Sequence, residues 1–571
     1  MTPHLLRSGL GLVLSALLLA ACTSAGKPRA TLVLVNGNIF TVDSLNPHAS
    51  AVAIQGDRIL YVGDDAAATA LADKDTRIID LKGAFAMPGF IEGHGHFSSL
   101  GRSMQNLNLG NAKNWDDIVA QVAEKARQTP AGDWIEGRGW HQEKWSTRPV
   151  PSFNGYPYHD ALSAVSAQHP VVLVHASGHS LFANAKAMEL AGVGRETPDP
   201  AGGRIVRDAS GRLTGVFEEN AMDLITAPYN TWKNRRSEDQ KRADFEKSVE
   251  LAGQECLGKG ITSFTDAGSD FWEIEQYSRL AESSRLPLRL WVMISQPTAA
   301  EYDRLSDYPQ IGLGNNFLTV RAIKVYLDGA LGSYGAWLLE PYADKPGFYG
   351  QNTTSIDTLR TIARLCRQHK LQCCVHAIGD RGNREVLNVF EENLKGDPGD
   401  WRWRIEHAQH VDPQDMPRFH QLGVIASMQA IHCTSDAPFV VKRLGENRAR
   451  TGAYAWRSLL DAGAWLANGT DVPVEDCDPL ACLYASVTRR RVDSGLEFFP
   501  EQKMTREEAL YSYTLWNARA AFEEKEKGSL EPGKLADIVV VSKDLLRCPE
   551  EEILQARVLQ TIVGGQIKFS R

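Results

Sequence analysis

The chain has 571 residues with a formal net charge of −8; 43% of the residues are hydrophobic and 23% are charged. These values are typical of a globular protein with two to four domains. The acidic balance, without any run rich in lysine and arginine, argues against a general nucleic-acid-binding protein.

The first residues have the layout of an export signal. Arg7 precedes an apolar run, Leu10 to Ala21, that is too short to span a bilayer comfortably. The run ends in LLAAC, which resembles the lipobox of bacterial lipoproteins and implies cleavage before Cys22 and lipidation of that cysteine. We therefore expect a signal peptide over residues 1–22 and a membrane-anchored protein of the bacterial envelope, on the periplasmic side. Thr23 after Cys22 favours the outer membrane, and an ordinary signal with a chance cysteine is the alternative.

Short β-rich runs follow the signal. Asn-Gly and Gly-Asp turns separate them over residues 30–88, and the run 525–571 has the same texture. We predict that residues 30–88 form a small antiparallel sheet unit. Together with residues 525–571 it would form a composite β-sandwich, and the central domain over residues 89–524 would lie between these two segments of the sequence. The eight cysteines after Cys22 are too sparse for a disulfide scaffold, and we interpret most of them as buried apolar residues.

The central region alternates buried apolar strands with amphipathic helical patterns. One helix, SIDTLRTIARLCRQHK, has Leu359, Ile362, Ala363 and Cys366 on one side. Eight strands in an alternating β/α series predict an α/β protein with a (β/α)8 TIM-like barrel. An open doubly wound sheet is the alternative, but polar residues follow the strands at their carboxyl ends, where barrels keep their active sites. Residues 97–255 are too long for a βα connection and indicate a large insertion after strand 1, interpreted as a subdomain above the barrel mouth.

The strand ends carry a set of metal-binding residue types. His94 and His96 in FIEGHGHF would lie on the same face of a strand. Later strands add side chains of metal-ligand type, namely Lys324, His376, His407 and Asp471. Each has a structural interpretation alone: a core histidine, a helix cap or a buried ion pair. Together, on the strands of one barrel, they indicate a metal site.

The order and spacing of PGFIEGHGHF, IKVYLDGALGSYGAWLLEPY, VHAIGDRGN, RIEHAQH, GTDVPVEDCDP and GSLEPGKLADIVVV resemble the amidohydrolase superfamily. The resemblance is to its YtcJ-like and N-substituted formamide deformylase-like subgroup. It implies one ion at His94 and His96, a second at His376 and His407, and a carboxylated Lys324 bridging them. Asp471 would bind the first ion and transfer protons. The ligand types suit zinc, with iron or manganese as alternatives.

The resemblance implies a hydrolase of non-peptide C–N bonds in N-acyl, N-formyl or cyclic amides, with a small-molecule substrate. An esterase or lactonase on the same site, or a non-catalytic binding lipoprotein, are the alternatives. Glu219 is an alternative ligand to Lys324. Three carboxylates that follow strands are expected to support the ligands: Asp266, Asp328 and Asp380. Asp380 is a candidate to orient a metal histidine. Two further residues, His179 and Trp140, are expected to line the substrate pocket.

Overall fold

A computed structural model describes residues 29–571, so the expected signal peptide and Cys22 lie outside the described residues. Within this range, no helix combines the length and the apolar character needed to cross a membrane. All the described cysteines except Cys548 are buried, and none of them forms a disulfide. The interpretation of most cysteines as buried apolar residues is confirmed.

Eight parallel strands form the barrel, and each pairs with its neighbour in chain order. Their bounds are Phe90–Gly95, Ile261–Ser269, Arg289–Ser295, Leu318–Tyr326, Gln372–Ala377, Arg404–His407, Ile425–Met428 and Trp465–Asn468. We number them barrel strands 1 to 8. This uninterrupted order confirms the TIM-like fold, because a doubly wound sheet reverses its strand order at a switch point.

Helices cover the outside of the barrel. The larger ones are Glu238–Gly258, Phe271–Glu282, Ile356–His369, Asp380–Leu394, Met416–Leu422, Ala430–Leu444, Pro479–Thr488 and Arg506–Ser512. The predicted helix after barrel strand 4 begins where Ser355 accepts a hydrogen bond from the Thr358 amide and ends before Lys370, whose φ is 58°. It buries Leu359, Ile362 and Cys366, which confirms the predicted apolar side.

Barrel strands 1 and 8 meet at a junction that side chains close. Asn517 Nδ2 donates to the carbonyl oxygens of Ile91, at 2.6 Å, and Asn468, at 2.8 Å. A Cβ on Gly93 would lie 2.3 Å from the Asn468 carbonyl oxygen, so the close approach needs glycine there. On the same side, Thr470 N donates to Glu92 Oε1 at 2.6 Å. The junction fixes the residues that follow the two strands against each other.

The segment between barrel strands 1 and 2 contains a mixed sheet of its own. Its strands, in spatial order, are Gly203–Arg207, Leu213–Glu219, Ser180–Ala183, Val171–His175, Ile135–Trp140 and Leu107–Asn108. Helices Trp115–Gln128, Asp160–Val165, Ala185–Leu190 and Asp223–Lys233 accompany it. Trp115, Leu162 and Phe182 belong to a hydrophobic cluster separate from that of the barrel. By contrast, helix Glu238–Gly258 contributes Phe245 and Val249 to the barrel core. We call residues 107–233 the inserted subdomain.

Two further sheets involve both ends of the described chain. One has the order Arg58–Gly63, Ala51–Gln55, Leu32–Val35 and Arg77–Asp80; the other has the order Gln566–Ser570, Val558–Val563, Ile538–Val541, Phe85–Pro88, Asn38–Phe40 and His48–Ala49. One hydrophobic cluster contains residues of both sheets, among them Val52 and Ile562. The expectation of purely antiparallel pairing is wrong, because Leu32–Val35 pairs parallel with Arg77–Asp80.

Candidate metal centre

The His-x-His pair meets the aspartate of barrel strand 8 at the barrel mouth. His96 Nε2 lies 3.2 Å and His94 Nε2 lies 3.6 Å from Asp471 Oδ1. The junction of strands 1 and 8 produces this arrangement, since Asp471 N donates to the His94 carbonyl oxygen at 2.7 Å. Asp471 has a φ of 58°, a conformation that costs energy for a non-glycine residue and recurs at functional sites.

The histidines of barrel strands 5 and 6 complete a ring of imidazoles. The ring centroid of His407 lies 4.8 Å from that of His94 and 4.5 Å from that of His376. Lys324 comes from barrel strand 4, and its buried Nζ lies 4.5 Å from the centre of the Tyr326 ring. The structure therefore brings together all six residues that the sequence predicts as metal ligands: His94, His96, Lys324, His376, His407 and Asp471.

Several polar atoms at the centre of this ring have no partner among the described residues. They are His94 Nε2, His376 Nε2, Lys324 Nζ and Asp471 Oδ1. Buried polar atoms in proteins are nearly always hydrogen-bonded, so four orphans converging on one point require an explanation. Imidazole nitrogens and a carboxylate oxygen are the donors that a divalent ion such as zinc takes. The residues present fit a bound metal.

Two side chains fix the histidine tautomers for that role. His94 Nδ1 donates to Glu406 Oε2 at 2.5 Å. His407 Nδ1 donates to Gln429 Oε1 at 2.7 Å, while the amide nitrogen of Gln429 donates to the Ser427 carbonyl oxygen. Both histidines therefore present an unprotonated Nε2 to the centre. A partner on the second ring nitrogen that orients the first is a common feature of metal-binding histidines.

The electrostatics of the centre favour neutral imidazoles beside an ionised carboxylate. Burial and the Lys324 ammonium lower the pKa of His94 to about 4. Burial also lowers the pKa values of His376 and His407 well below the ordinary value. Burial opposes ionisation of Asp471, but the imidazoles of His96, His94 and His407 around its carboxylate hold its pKa well below the usual range. Because metal ligands must be deprotonated, this set is ready to bind at neutral pH.

Glu219, the alternative ligand, lies in the same cavity and pairs with another predicted residue. Its Oε2 accepts from His179 Nδ1 at 2.9 Å, while its Oε1 is buried and has no partner in residues 29–571. The His179 ring lies 5.0 Å from that of His376. Although burial lowers it, the pKa of His179 is raised by the Glu219 carboxylate. Both residues therefore reach the centre from the inserted subdomain.

The three supporting carboxylates differ in position. Asp328 Oδ1 lies 3.6 Å from His376 Nε2, and burial raises the pKa of Asp328 to about 7. Asp266 accepts a hydrogen bond from the amide of Phe97, the residue after His96. Asp380 instead accepts from the amides of Leu339 and Arg381. The expectation that Asp380 orients a metal histidine is wrong, because its Oδ1 accepts from backbone amides outside the centre and no histidine is among its partners in the described chain.

Trp140 does not line the substrate cavity. Its side chain is fully buried in the core of the inserted subdomain, and its indole nitrogen donates to the Leu173 carbonyl oxygen at 2.8 Å. That prediction is wrong. The neighbouring His141 does line a small cavity of about 60 Å³ beside the centre, together with His175 and His432.

Sequence reasoning assigned no functional role to several side chains that belong to this site. Glu406 orients His94, and Arg404 donates to Glu406 Oε1 at 2.7 Å. His432 Nε2 is buried without a partner in the described chain, and its ring stacks 6.3 Å from that of His407. The position of His432 in the sequence could have indicated a role in the site, because it follows the carboxyl end of barrel strand 7. Arg404 and Glu406 lie within a strand, where charged residues in an apolar barrel already indicate a paired role.

A cavity of about 480 Å³ opens in front of the ligands. The barrel contributes the predicted ligands to its wall, and the inserted subdomain contributes Arg138, the loop 177–179 and Glu219. This volume lies within the range of small-molecule binding sites. The arrangement can hold a metal ion at the base of a cavity that admits a small substrate.

We expect Glu406→Gln to weaken metal binding by about 10–100-fold, the usual effect of losing a side chain that orients a metal ligand. Glutamine keeps the shape of Glu406 but cannot provide the anion that holds the His94 Nδ1 proton. Competition with a chelator measures the affinity, and circular dichroism checks the fold. Glu392→Gln, on the exposed side of helix Asp380–Leu394, is the control. An unchanged affinity in Glu406→Gln would exclude the orienting role.

Residues 77–569 match the family model described as "Amidohydrolase family". The chain is 33% identical over 557 residues to Protein LONG AFTER FAR-RED 3 of Arabidopsis thaliana, covering 94% of this chain and 91% of that protein. It is 30% identical over 505 residues to the putative amidohydrolase YtcJ of Bacillus subtilis, covering 87% and 91%. It is 27% identical over 557 residues to the N-substituted formamide deformylase of Arthrobacter pascens, covering 95% and 98%.

The fold is also similar to solved structures. An uncharacterized metal-dependent hydrolase from Pyrococcus horikoshii superposes with a TM-score of 0.72 at 27% identity, covering 91% of this chain and 99% of that one. A metal-dependent hydrolase from Pyrococcus furiosus gives a TM-score of 0.69 at 28% identity, covering 90% and 100%. Both structures cover about nine-tenths of this chain.

Proposed function

The chain belongs to the amidohydrolase family and is a metal-dependent hydrolase of carbon–nitrogen bonds other than peptide bonds, and we propose that it cleaves N-acyl, N-formyl or cyclic amides. The observation that carries the proposal is the convergence of unpartnered buried donor atoms, His94 Nε2, His376 Nε2 and Asp471 Oδ1, at the base of a substrate-sized cavity. A bound divalent ion lowers the pKa of a coordinated water towards neutrality and polarises a carbonyl group. We propose zinc, because the donors are imidazole and carboxylate.

Asp471 is the proposed proton carrier. Its carboxylate is ionised, and its Oδ1 has no hydrogen-bond partner in the described chain. It can therefore accept the proton of the attacking water and deliver it to the nitrogen of the leaving amine. One carboxylate can serve both steps, and positioned proton transfer of this kind contributes about 10²–10⁴-fold to a rate.

Lys324 is proposed to carry a carboxyl group. Its ammonium lies beside His94, His376 and His407, where a positive charge opposes a bound cation. Addition of carbon dioxide to the neutral amine, with loss of one proton, gives a carbamate whose single negative charge is shared by two oxygens. These oxygens would bridge two ions, one at His94 and His96 and one at His376 and His407. Glu219 is the alternative source of the anionic ligand, since its Oε1 has no partner among residues 29–571.

A substrate panel on metal-loaded protein, expressed from Thr23 onwards, tests the proposed function. N-formyl and N-acyl amines, N-acyl amino acids, cyclic amides, esters and lactones are incubated with the protein and analysed by mass spectrometry. We expect amine release from amides, and its loss after the metal is removed by a chelator. Turnover of esters or lactones alone would favour the esterase alternative, and a folded, metal-loaded protein inactive on the whole panel would contradict the proposal.

For the location we propose export and lipid anchoring through Cys22 in the cell envelope. The support is the LLAAC sequence after a short apolar run. The mass of the mature N-terminal peptide tests this, since acylated Cys22 is expected as the first residue. A mature chain that retains residues before Cys22, or that carries an unmodified cysteine there, would contradict the anchoring.

A further inference from the structure

An arginine of the inserted subdomain faces the metal cavity. Arg138 belongs to strand Ile135–Trp140 and lines the same cavity wall as His96 and Asp471. It is half-buried, and its strand pairs with Val171–His175. Metal ligation, ligand orientation and proton transfer at the centre do not involve this residue.

The guanidinium of Arg138 has fewer partners than those of the buried Arg289 and Arg404. Its single hydrogen bond is from Nη2 to the Ala176 carbonyl oxygen at 3.2 Å, and its Nε is buried without a partner in residues 29–571. By contrast, Arg289 binds Asp537 at 2.7 Å and Arg404 binds Glu406 at 2.7 Å. Across the part of the chain that the structure describes, Arg138 forms no ion pair.

An unpaired cation that is partly removed from water is costly, and arginine does not escape the cost by losing its proton. Burial lowers the pKa of Arg138, and the charge of Asp471 opposes that effect from beyond ion-pair distance. An anion in the cavity would supply the partner that Arg138 lacks. A guanidinium presents a planar fork of donors that matches a carboxylate in a bidentate geometry.

The local backbone leaves room for that anion. The pairing register shifts between Arg138 and Trp140, and Gly139 between them has a φ of 108°, which marks a bulge of the kind found beside active sites. Gly178, with a φ of 78°, passes close to the arginine on the loop after the paired strand, and a Cβ there would lie 3.5 Å from Arg138 Nη2. A Cβ at that distance would be in ordinary van der Waals contact, so position 178 does not block the guanidinium. Its one hydrogen bond in the described residues is that to Ala176, and its other donors remain available to the cavity that Arg138 lines.

We propose that Arg138 binds a carboxylate of the substrate, so that the substrates are amides bearing a carboxylate, of which N-acyl amino acids are the simplest. This inference rests on the proposed hydrolase function. A carboxylate is favoured over a doubly charged phosphate because Asp471, Glu219 and Asp328 also line the cavity and repel excess negative charge. The volume of about 480 Å³ accommodates such a molecule.

The test compares matched ligands on matched variants. The probes are N-formyl and N-acetyl derivatives of alanine, leucine and glutamate, each with its α-carboxyl group free and as the α-primary amide. The proteins are the metal-loaded wild type, Arg138→Met, Arg138→Lys and, as the control, Arg148→Met at an exposed position of the same subdomain. Hydrolysis is measured as kcat/KM, and binding is measured separately as thermal stabilisation.

We expect the wild type and Arg148→Met to prefer the free acids. Arg138→Met should lower kcat/KM for the acids by about 10²-fold or more and leave the amides nearly unchanged, as loss of one partner of a desolvated charge pair predicts. Arg138→Lys should retain part of the preference. Equal hydrolysis of acids and amides by the wild type, or a preference that survives in Arg138→Met, would overturn the role of Arg138 while the hydrolase function stands.

The binding measurement separates the two proposals. The free acids could stabilise the protein in a way that depends on Arg138 while none of the probes, acid or α-amide, is hydrolysed. That result would support the carboxylate site and contradict the proposed hydrolase function. If no free acid stabilises the protein and no free acid is hydrolysed, the carboxylate site is contradicted.

Discussion

Replacing Asp471 by asparagine is expected to lower kcat by about 10³-fold, the middle of the range for loss of a general acid–base group. Asparagine preserves the size of the side chain and one oxygen that can still bind a cation, but an amide cannot carry the proton from water to the leaving nitrogen. The fold should survive, because the backbone bond from Asp471 N to the His94 carbonyl oxygen does not involve the side chain. Steady-state kinetics on an amide of the panel measures the effect.

Asp476→Asn is the matched control for this variant, since Asp476 is an exposed residue of the same loop. We expect its activity to equal that of the wild type. Metal content is measured in both variants, so that a loss of proton transfer is separated from a loss of metal. Full activity in Asp471→Asn at normal metal content would exclude Asp471 as the proton carrier.

Replacing Lys324 by alanine is expected to remove most of the metal and nearly all of the activity. The variant loses the side chain that is proposed to carry the bridging carbamate. The space that the Lys324 side chain occupied, beside His376 and His407, becomes empty. A short carboxylate such as propionate can enter that space and supply an anionic oxygen. We therefore expect added propionate to restore part of the metal content and part of kcat in Lys324→Ala, measured by elemental analysis and by kinetics.

Glu219→Gln distinguishes the two candidates for the anionic ligand. If Lys324 is the ligand, Glu219→Gln keeps its metal and changes the environment of His179, to which Glu219 is bound at 2.9 Å. If Glu219 is the ligand, Glu219→Gln loses metal and Lys324→Ala retains it. That reversed pattern would contradict the carboxylated lysine.

The sequence predicts the barrel well, because strands buried on both faces appear as apolar runs that helical patterns separate. His376 and His407 interrupt such runs at their ends, which is why the ligand set could be predicted as a group. Pairing within the terminal sheets was harder to predict. Parallel and antiparallel neighbours have the same local alternation, so the parallel pair of Leu32–Val35 with Arg77–Asp80 leaves no mark in the sequence.

The incorrect site predictions also have physical causes. Trp140 follows the bulge at Gly139, so its direction cannot be deduced from strand alternation, and the structure places it in the subdomain core. Asp380 follows barrel strand 5, but its Oδ1 accepts from the backbone amide of Leu339 in a distant loop. Arg138 has no local signal, because its significance lies in the partners that it lacks in three dimensions.

Counting the metal ions on the chain tests the proposed two-metal centre directly. Protein expressed from Thr23 onwards is loaded with zinc or manganese, desalted and analysed by elemental mass spectrometry, with His94→Ala and His376→Ala as variants that each remove a ligand of one proposed ion. A bridged two-metal centre predicts roughly two ions per chain in the wild type and fewer in both variants. A folded wild-type protein that retains no ion after loading would contradict the metal centre and the hydrolase proposed on it.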